Sequence, residues 1–332
     1  MPSMLASPGR RAWSGILLLL GAAACSRPRP GDPPPPAPRI VDGGGAWSAA
    51  TVGLEAKATR AALEQPLSAL RPRLGGHRTV AHSVLVARAP GSPERRVEQS
   101  VDLRVTSAGQ FSAVKHTDPQ YGQEVVFAGG WLYSRLRHHK FVRRKPTSAR
   151  EPEAIADRLH GLLPAYLRLL RRFVELQPAG ELTYLGRRAR RVRLGLAAKP
   201  AAGEPEGGPA TRWRKTIAVQ ELSGEALLDR DTGVPLRVKL AAVWSYVPPA
   251  VGPAPTGIPT RFAEGQAGRM TLAFEQRVSQ IGNVSAVELP PAAEVAQLPP
   301  RLRLELERQM LVGERPVIPG WPKYYQPEEP RP

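Results

Sequence analysis

The chain has 332 residues, with 47 Lys or Arg against 29 Asp or Glu, a formal charge of +18, 37 Pro, 31 Gly and a single Cys. One cysteine excludes an internal disulfide and a zinc site built from several cysteines. No apolar run beyond the N-terminal region is long enough to cross a bilayer, which excludes a protein built from several membrane-spanning helices.

Residues 1–24 have the layout of a secretory signal peptide. Arg10 and Arg11 precede the apolar run Ile16–Leu20, and small residues fill positions 21–24. A basic region, a short apolar region and small residues are typical of a segment that is removed after export. The alternative is an N-terminal helix of the fold, but we predict a signal peptide.

The cysteine stands directly after this segment. Ala22-Ala23-Ala24-Cys25 resembles the lipobox of bacterial lipoproteins. The resemblance implies that Cys25 is lipidated and becomes the new N-terminus, and several acyl chains on one residue anchor a protein stably to a membrane. Ser26 stands where an Asp would retain an enterobacterial lipoprotein in the inner membrane, so the resemblance implies a periplasm-facing lipoprotein of the outer membrane.

Residues 25–50 combine this anchor with a Pro/Gly-rich linker. The stretch 27–38 is rich in proline, which fixes φ and lacks an N–H donor. Such a run forms a semi-rigid polyproline spacer. Gly43, Gly44 and Gly45 follow as a flexible joint, so we expect the folded domain to be held away from the membrane.

The body begins with a helical pattern over 52–70, interrupted by Pro66, and then changes to alternation with period two. From His77 to Tyr133 the pattern predicts four or five antiparallel strands joined by short turns. A strongly amphipathic helix is predicted over 153–176, with a kink or break at Pro164. Its candidate covering residues are Leu159, Leu163, Tyr166 and Leu170.

Alternation resumes after this helix. It is longest from Leu236 to Tyr246 and returns over 270–278, while Ser223-Gly224 and 231–233 are predicted turns. The stretches 201–210 and 248–259 are predicted loops. A short helix over 302–311 and a Pro-rich tail are expected within residues 291–332.

These elements predict a mainly β (α+β) fold. Residues 51–290 would form one half-barrel domain, an unclosed barrel of about eleven antiparallel strands with a covering helix pair. Clean alternation means that one face of the sheet is dry. Either this concave face encloses a hydrophobic cavity or the helices fill it completely as a core, and several hundred cubic ångströms of space would favour a ligand site. The candidate cavity-lining residues are Val101, Leu103, Trp213, Val219, Leu240, Ala242, Trp244 and Phe274.

Two segments and the element order carry a family resemblance. The stretch Thr183–Val192 resembles a strand–Gly–turn–strand segment, and Leu227–Arg237 resembles a Leu-Asp…Thr-Gly-x-Pro hairpin, of the outer-membrane lipoprotein carrier superfamily (the LolA, LolB and RseB type). The resemblance implies an unclosed β-barrel whose helices plug a hydrophobic cavity. It also implies that the cavity binds an acyl chain such as palmitate, another lipid or a lipidated protein.

Motifs for catalysis or metal binding were not found in the sequence. His138 and His139 are adjacent and would point to opposite faces of a strand. No H-E-x-x-H, P-loop or G-x-S-x-G motif occurs. We therefore expect no metal, no cofactor and no enzymatic activity.

The basic charge has two explanations, namely a compositional bias toward arginine and a surface for polyanions. Outside the cytoplasm the available polyanions are anionic lipid head groups, and nucleic acid would be in the wrong compartment. The candidate contacts with head groups are Arg188, Arg190, Arg191 and Arg193.

Two functions remain open: holding a lipid or lipidated protein in the half-barrel, or serving as an envelope interaction or sensor scaffold with a filled half-barrel and an Arg-rich surface.

Overall fold

The computed structural model describes residues 39–41, 49–89, 93–117, 121–202, 214–247 and 267–296, with the backbone alone for 39–41 and 49–55. The predicted signal peptide, the candidate lipidation site Cys25 and the spacer lie outside the described residues. So do Trp213, most of the predicted loop 201–210, the predicted loop 248–259, and the predicted helix 302–311 with its tail.

The described part contains twelve β-strands and four α-helices. The strands are β1 Arg39–Val41, β2 His77–Arg88, β3 Arg95–Val105, β4 Phe111–Thr117, β5 Tyr121–Ala128, β6 Trp131–Leu136, β7 Val142–Arg144, β8 Val174–Tyr184, β9 Arg187–Leu196, β10 Ala218–Asp229, β11 Pro235–Tyr246 and β12 Gly268–Ser279. The helices are α1 Ala49–Leu63, α2 Leu67–Leu74, α3 Glu151–His160 and α4 Leu162–Leu170. A 3₁₀ turn follows at Ala292–Glu294.

All twelve strands belong to one antiparallel sheet. Their spatial order is β1-β8-β9-β10-β11-β12-β2-β3-β4-β5-β6-β7. The sheet has β1 and β7 at its two ends and is not closed, so the predicted unclosed antiparallel half-barrel is confirmed. The predicted count of about eleven strands is close to the twelve that the described part contains. Neither β1 nor β7 was predicted, and β1 pairs Ile40 with Leu182 of β8 from within the predicted linker.

The longest predicted alternation forms β11 at the centre of the sheet. Its inward-facing residues are all less than 9 % exposed, whereas Lys239 and Ala241 between them are exposed. The buried residues are Leu236, Val238, Leu240, Ala242, Trp244 and Tyr246. Period-two alternation therefore placed the core face of this strand correctly.

The long central helix of the prediction is two short helices. The break falls at Gly161, while Pro164 lies in the first turn of α4, where a missing N–H donor costs no helical hydrogen bond. The prediction of helix as far as residue 176 was wrong, because Val174 already begins β8 and pairs with Leu196. The turn before β8 ends the helical pattern three residues after Leu170.

One predicted hairpin turn was also wrong. Ser223-Gly224 lies in the middle of β10, where Gly224 pairs with Leu194 on one side and Leu240 on the other. A Cβ atom on Gly224 would stand 2.3 Å from the carbonyl oxygen of Lys239. Glycine is needed at this position because the neighbouring strand approaches closely, not because the chain reverses.

The four helices and the concave face of the sheet share most of the core. The main buried cluster joins residues of α1–α4 to residues of β2–β6 and β8–β12. A separate small cluster lies on the convex face at β5–β7, where Phe141 bonds in parallel to the segment around Val295. None of the helices in the described ranges is long and apolar enough to cross a membrane.

Candidate functional site

The predicted cavity-lining residues do lie together on the concave face. Val219 is half-buried against the main core, and Trp213 lies outside the described residues. The other six are 0–4 % exposed, and they are Val101, Leu103, Leu240, Ala242, Trp244 and Phe274. At these positions the concave face is packed core, so the open groove that we considered is closed in this conformation.

The predicted covering residues fill the groove on the concave face. All four are 0–5 % exposed and belong to the same buried cluster as the concave face. They are Leu159 on α3 and Leu163, Tyr166 and Leu170 on α4. Helices α3 and α4 therefore lie directly on the sheet as the expected covering pair.

Tyr166 makes the most specific contact between α4 and the sheet. Its ring packs edge-on against Phe274, with 5.7 Å between ring centroids. Its hydroxyl donates to Oε1 of Gln99 at 3.0 Å and lies 3.1 Å from Oγ of Ser83, which itself donates to Gln99 at 3.2 Å. Burial raises the pKa of Tyr166, which keeps the hydroxyl protonated as a donor.

A group of polar side chains interrupts the apolar concave face beneath the helices. By strand register Ser83 lies beside Gln99, and Lys115 lies between Val101 and Gln123. We call Ser83, Gln99, Lys115 and Gln123 the polar island. Their alternation places all four on the inward face with the buried residues Val101 and Ala113.

The sequence interpretation did not identify the polar island, although a signal existed. Gln99 stands on the same parity as Val97 and Val101, so it interrupts an otherwise apolar face. Lys115 likewise follows Phe111 and Ala113 at every second position. A polar residue at a position where alternation predicts an apolar one is a signal that would have identified both residues.

Lys115 is the charged member of the island. In the part of the chain that the structure describes, its amine makes no hydrogen bond or ion pair, and it is half-buried. Burial and, to a smaller extent, the positive charge of Arg158 on α3 together lower the pKa of Lys115 to about 8. A cation without an acidic partner is thus held at the helix–sheet boundary.

Two more polar atoms are buried on the concave face without partners. Within the described residues, the Nε1–H group of Trp244 donates no hydrogen bond and Oε1 of Gln276 accepts none. Each side chain is at most 2 % exposed. An unsatisfied buried polar group costs about 1–3 kcal/mol, so this face is not an ordinary dry core.

A cleft opens where α1 and α4 meet the start of β8. It is partly open to solvent and encloses no more space than about one water molecule needs. Leu63, Leu167 and Leu176 form its apolar wall, and Arg60 donates from its rim to the carbonyl oxygens of Arg171 and Val174 at 2.9 and 2.8 Å. The cleft is thus a shallow surface depression at the edge of the packed interior.

The four candidate arginines of β9 do not form one cationic surface. Arg188 and Arg193 are exposed, whereas Arg190 and Arg191 are partly buried. Arg188 donates to Glu181 at 3.1 Å, and Arg191 donates to Glu225 at 2.5 Å. Neighbouring acids therefore neutralise part of the charge that the sequence run suggested.

No cluster of three or more metal-ligating side chains occurs in the described ranges. His138 and His139 are exposed, whereas His77 and His160 are buried. Burial lowers the pKa of His160 to about 4 and also lowers the pKa of His77, so both imidazoles are neutral at pH 7.

No family profile matches the chain, and no curated protein matches it. Among solved structures it is similar to the lipoprotein LppX of Mycobacterium tuberculosis, with 13% identity, 70% of this chain and 99% of that chain covered, and a TM-score of 0.26. It is similar to MucB, with 16% identity, coverage of 76% and 69%, and a TM-score of 0.24. It is also similar to a LolA superfamily protein of Nitrosomonas europaea, with 9% identity, coverage of 74% and 96%, and a TM-score of 0.19. Solved structures of the superfamily that the sequence resembles are thus among those that match this chain.

Proposed function

We propose that this chain is a non-enzymatic binding protein of the bacterial cell envelope. It would hold an acyl chain, a lipid or a lipidated protein between the helix pair α3–α4 and the concave face of the half-barrel. The observation that carries the proposal is this face itself, a broad apolar surface on an unclosed sheet that two short helices cover.

The helix pair is suited to move. Helices α3 and α4 have 10 and 9 residues, and isolated helices of this length are unstable in water. They therefore owe their stability to contact with the sheet, and an acyl chain could replace that contact. Each buried CH₂ group contributes about 0.8 kcal/mol, so a long chain can offset the loss of the helix contacts.

The packed interior then corresponds to the closed, ligand-free state. Partnerless polar atoms at Trp244 and Gln276 support this interpretation, because a permanently filled core gains nothing from them. The cleft beside Leu63 and Leu167 offers an edge at which separation of the helices from the sheet could begin.

The proposal includes a membrane anchor. Lipidation at Cys25 would attach the domain to the periplasmic side of the outer membrane through the proline-rich spacer. Replacing Cys25 by Ser should move the protein from the membrane fraction to the soluble periplasmic fraction and abolish incorporation of labelled palmitate. Retention of both in the variant would contradict the anchor.

Native mass spectrometry of the full chain, extracted from membranes in mild detergent, tests the binding function. We expect a co-purified lipid, and saturable binding of a fluorescent fatty acid to the delipidated protein. Neither a co-purified lipid nor fatty-acid binding would overturn the proposal.

A second function is favoured by the packing of the interior. If the helices never leave the sheet, the half-barrel is a filled scaffold and its surface arginines would recruit an envelope partner. Charge reversal at Arg190, Arg191 and Arg193 should then abolish capture of that partner and leave lipid binding unchanged. Lys199→Glu, an exposed change in the following loop, is the matched control.

A further inference from the structure

We propose that the polar island is the head-group subsite of this binding protein, and that it selects an amphiphile with an anionic head, a carboxylate or a phosphate. Lys115 would supply the positive charge, and Gln99, Gln123 and the hydroxyl of Tyr166 would supply hydrogen bonds. This inference rests on the proposed function, because it names the chemistry of the ligand at the same concave face.

The polarity of the concave face changes from one side of the sheet to the other. On β11 and β12 it is mainly apolar, with Gln276 as a polar exception. Its apolar residues there that are 0–5 % exposed include Leu240, Ala242, Trp244, Met270, Leu272 and Phe274. On β2 and β3 the row of Phe274 continues through Ser83 and Gln99. The row of Gln276 continues through Val101 on β3 to Lys115 and Gln123 on β4 and β5. A surface that is apolar at one side and polar at the other matches a ligand with one tail and one head.

The strand register brings the island's side chains close to one another. Lys115 and Gln123 are direct cross-strand partners on β4 and β5. Gln99 is two residues from Val101, the partner of Lys115 on β3, so it is a diagonal neighbour. Direct partners have Cβ atoms about 5 Å apart and diagonal ones about 7 Å apart, which allows these side chains to converge on one head group.

The charge of the site favours an anion. The ammonium group of Lys115 has no acidic partner in the described ranges, and the positive charge of Arg158 also acts on it. The positive charge of Lys115 attracts an anion and repels a cation. Because a half-buried unpaired charge is costly, an anionic head would recover part of the desolvation free energy of Lys115.

Tyr166 contacts both the head-group subsite and the apolar residues of β11 and β12, which would hold the tail of the ligand and which we call the tail site. Its hydroxyl bonds to Gln99 and its ring packs on Phe274, so one side chain of α4 contacts both regions. When the helix pair separates from the sheet, Gln99 loses this partner at the same time as the tail site opens. An anionic head with acceptor oxygens could then take hydrogen bonds from the amide N–H groups of Gln99 and Gln123.

The test is displacement of the uncharged probe N-phenylnaphthylamine from the full chain by ligands with equal tails. The four ligands are palmitate, hexadecyl phosphate, hexadecanol and hexadecyltrimethylammonium, each below its micelle concentration. We expect an anionic ligand to bind at least about tenfold more tightly than hexadecanol, which corresponds to about 1.4 kcal/mol. The cationic ligand should bind most weakly, and the order of palmitate and hexadecyl phosphate would identify the head group.

The matched variants are Lys115→Met and Lys239→Met, the second on the convex face of β11. Lys115→Met should lose the preference for anions and keep its affinity for hexadecanol, whereas Lys239→Met should behave as the unmodified protein. Lys115→Arg keeps the charge and should keep the preference. A urea midpoint equal to or above that of the unmodified protein shows that Lys115→Met is folded.

The possible failures are distinguishable. If palmitate and hexadecanol bind equally to the unmodified protein, or if Lys115→Met keeps the anion preference, the head-group subsite is wrong and the lipid-binding function stands. If the probe and all four ligands fail to bind to the unmodified protein, the proposed function itself is wrong.

Discussion

The two faces of the sheet treat polar groups in opposite ways. On the convex face charges are matched, as where Glu275 accepts from Arg237 at 3.0 Å and from Arg277 at 2.9 Å. On the concave face Trp244 and Lys115 have polar groups without partners in the described ranges. Charged side chains on the convex face thus have partners where water could have solvated them anyway, whereas some of the polar groups under the helices have none.

This difference implies that substitutions on the concave face have large effects and that substitutions on the convex face have small ones. Trp244→Ala should have the largest effect, because a fully buried aromatic side chain is removed and a cavity remains. We expect a loss of about 3–5 kcal/mol in the free energy of unfolding. Urea unfolding followed by circular dichroism measures it.

The matched control for Trp244→Ala is Lys239→Ala, on the same strand but on the convex face. Its unfolding free energy should stay within about 0.5 kcal/mol of the unmodified protein. Equal losses in the two variants would remove the distinction between the faces.

The buried histidines predict the next largest effect. The pKa of His160 is lowered to about 4 in the fold, from about 6.5 in the unfolded chain, because burial disfavours the charged imidazole. Above pH 6.5 this imidazole is neutral in both the folded and the unfolded chain, so the free energy of unfolding does not depend on it. As the pH falls from 6.5 toward 4, the unfolded chain binds more protons, and stability decreases by about 3 kcal/mol in total.

Urea unfolding at pH 7.5, 5.5 and 4.5 measures this loss. The pKa of Glu151 is lowered to about 2, mainly by its hydrogen bonds from Arg144. Protonation of Glu151 therefore decreases the stability only below about pH 4.5. The range from 6.5 to 4.5 therefore isolates the histidines. His138→Gln, at an exposed position, should leave the pH dependence unchanged, and a flat stability between pH 7.5 and 4.5 would contradict a buried neutral His160.

Tyr166→Phe probes the hydrogen bonds that join the helix pair to the concave face. The ring and its contact with Phe274 remain, but Gln99 and Ser83 lose the hydroxyl partner. We expect a loss of about 1–2 kcal/mol in unfolding free energy. Tyr121→Phe, at an exposed tyrosine, serves as control and should show no loss; a similar loss in both would assign the effect to something other than the buried network.

Alternation predicted the strands well because burial on one face is strong and local. The inward residues of β11 and the covering residues Leu159 and Leu163 were all found from spacing alone. Spacing is less informative on β2, where Val80, Val84 and Val86 share one parity in the sequence but are only partly buried. The inward face of that strand is Ala81, Ser83 and Leu85, and Ser83 lies against the hydroxyl of Tyr166.

What the sequence could not supply depends on partners distant in the chain. Gly224 looked like a turn because the close approach of Lys239 is a tertiary contact. Arg188 and Arg191 looked like one basic run because their acidic partners, Glu181 and Glu225, lie on other strands. Whether the concave face was open or packed likewise depended on how closely α3 and α4 approach it.

Glu275→Gln on the convex face should have the smallest effect. The change removes the shared carboxylate acceptor of Arg237 and Arg277 at a partly solvated site. Exposed ion pairs contribute about 0.2–1 kcal/mol each, so we expect a loss of about 0.5–1 kcal/mol in low salt. The loss should largely disappear in 1 M NaCl, where the Debye length is about 3 Å. A loss above about 2 kcal/mol that persisted in high salt would mean that the convex ion pairs stabilise the sheet as strongly as the concave core does, and the contrast between the two faces would then no longer locate the binding site.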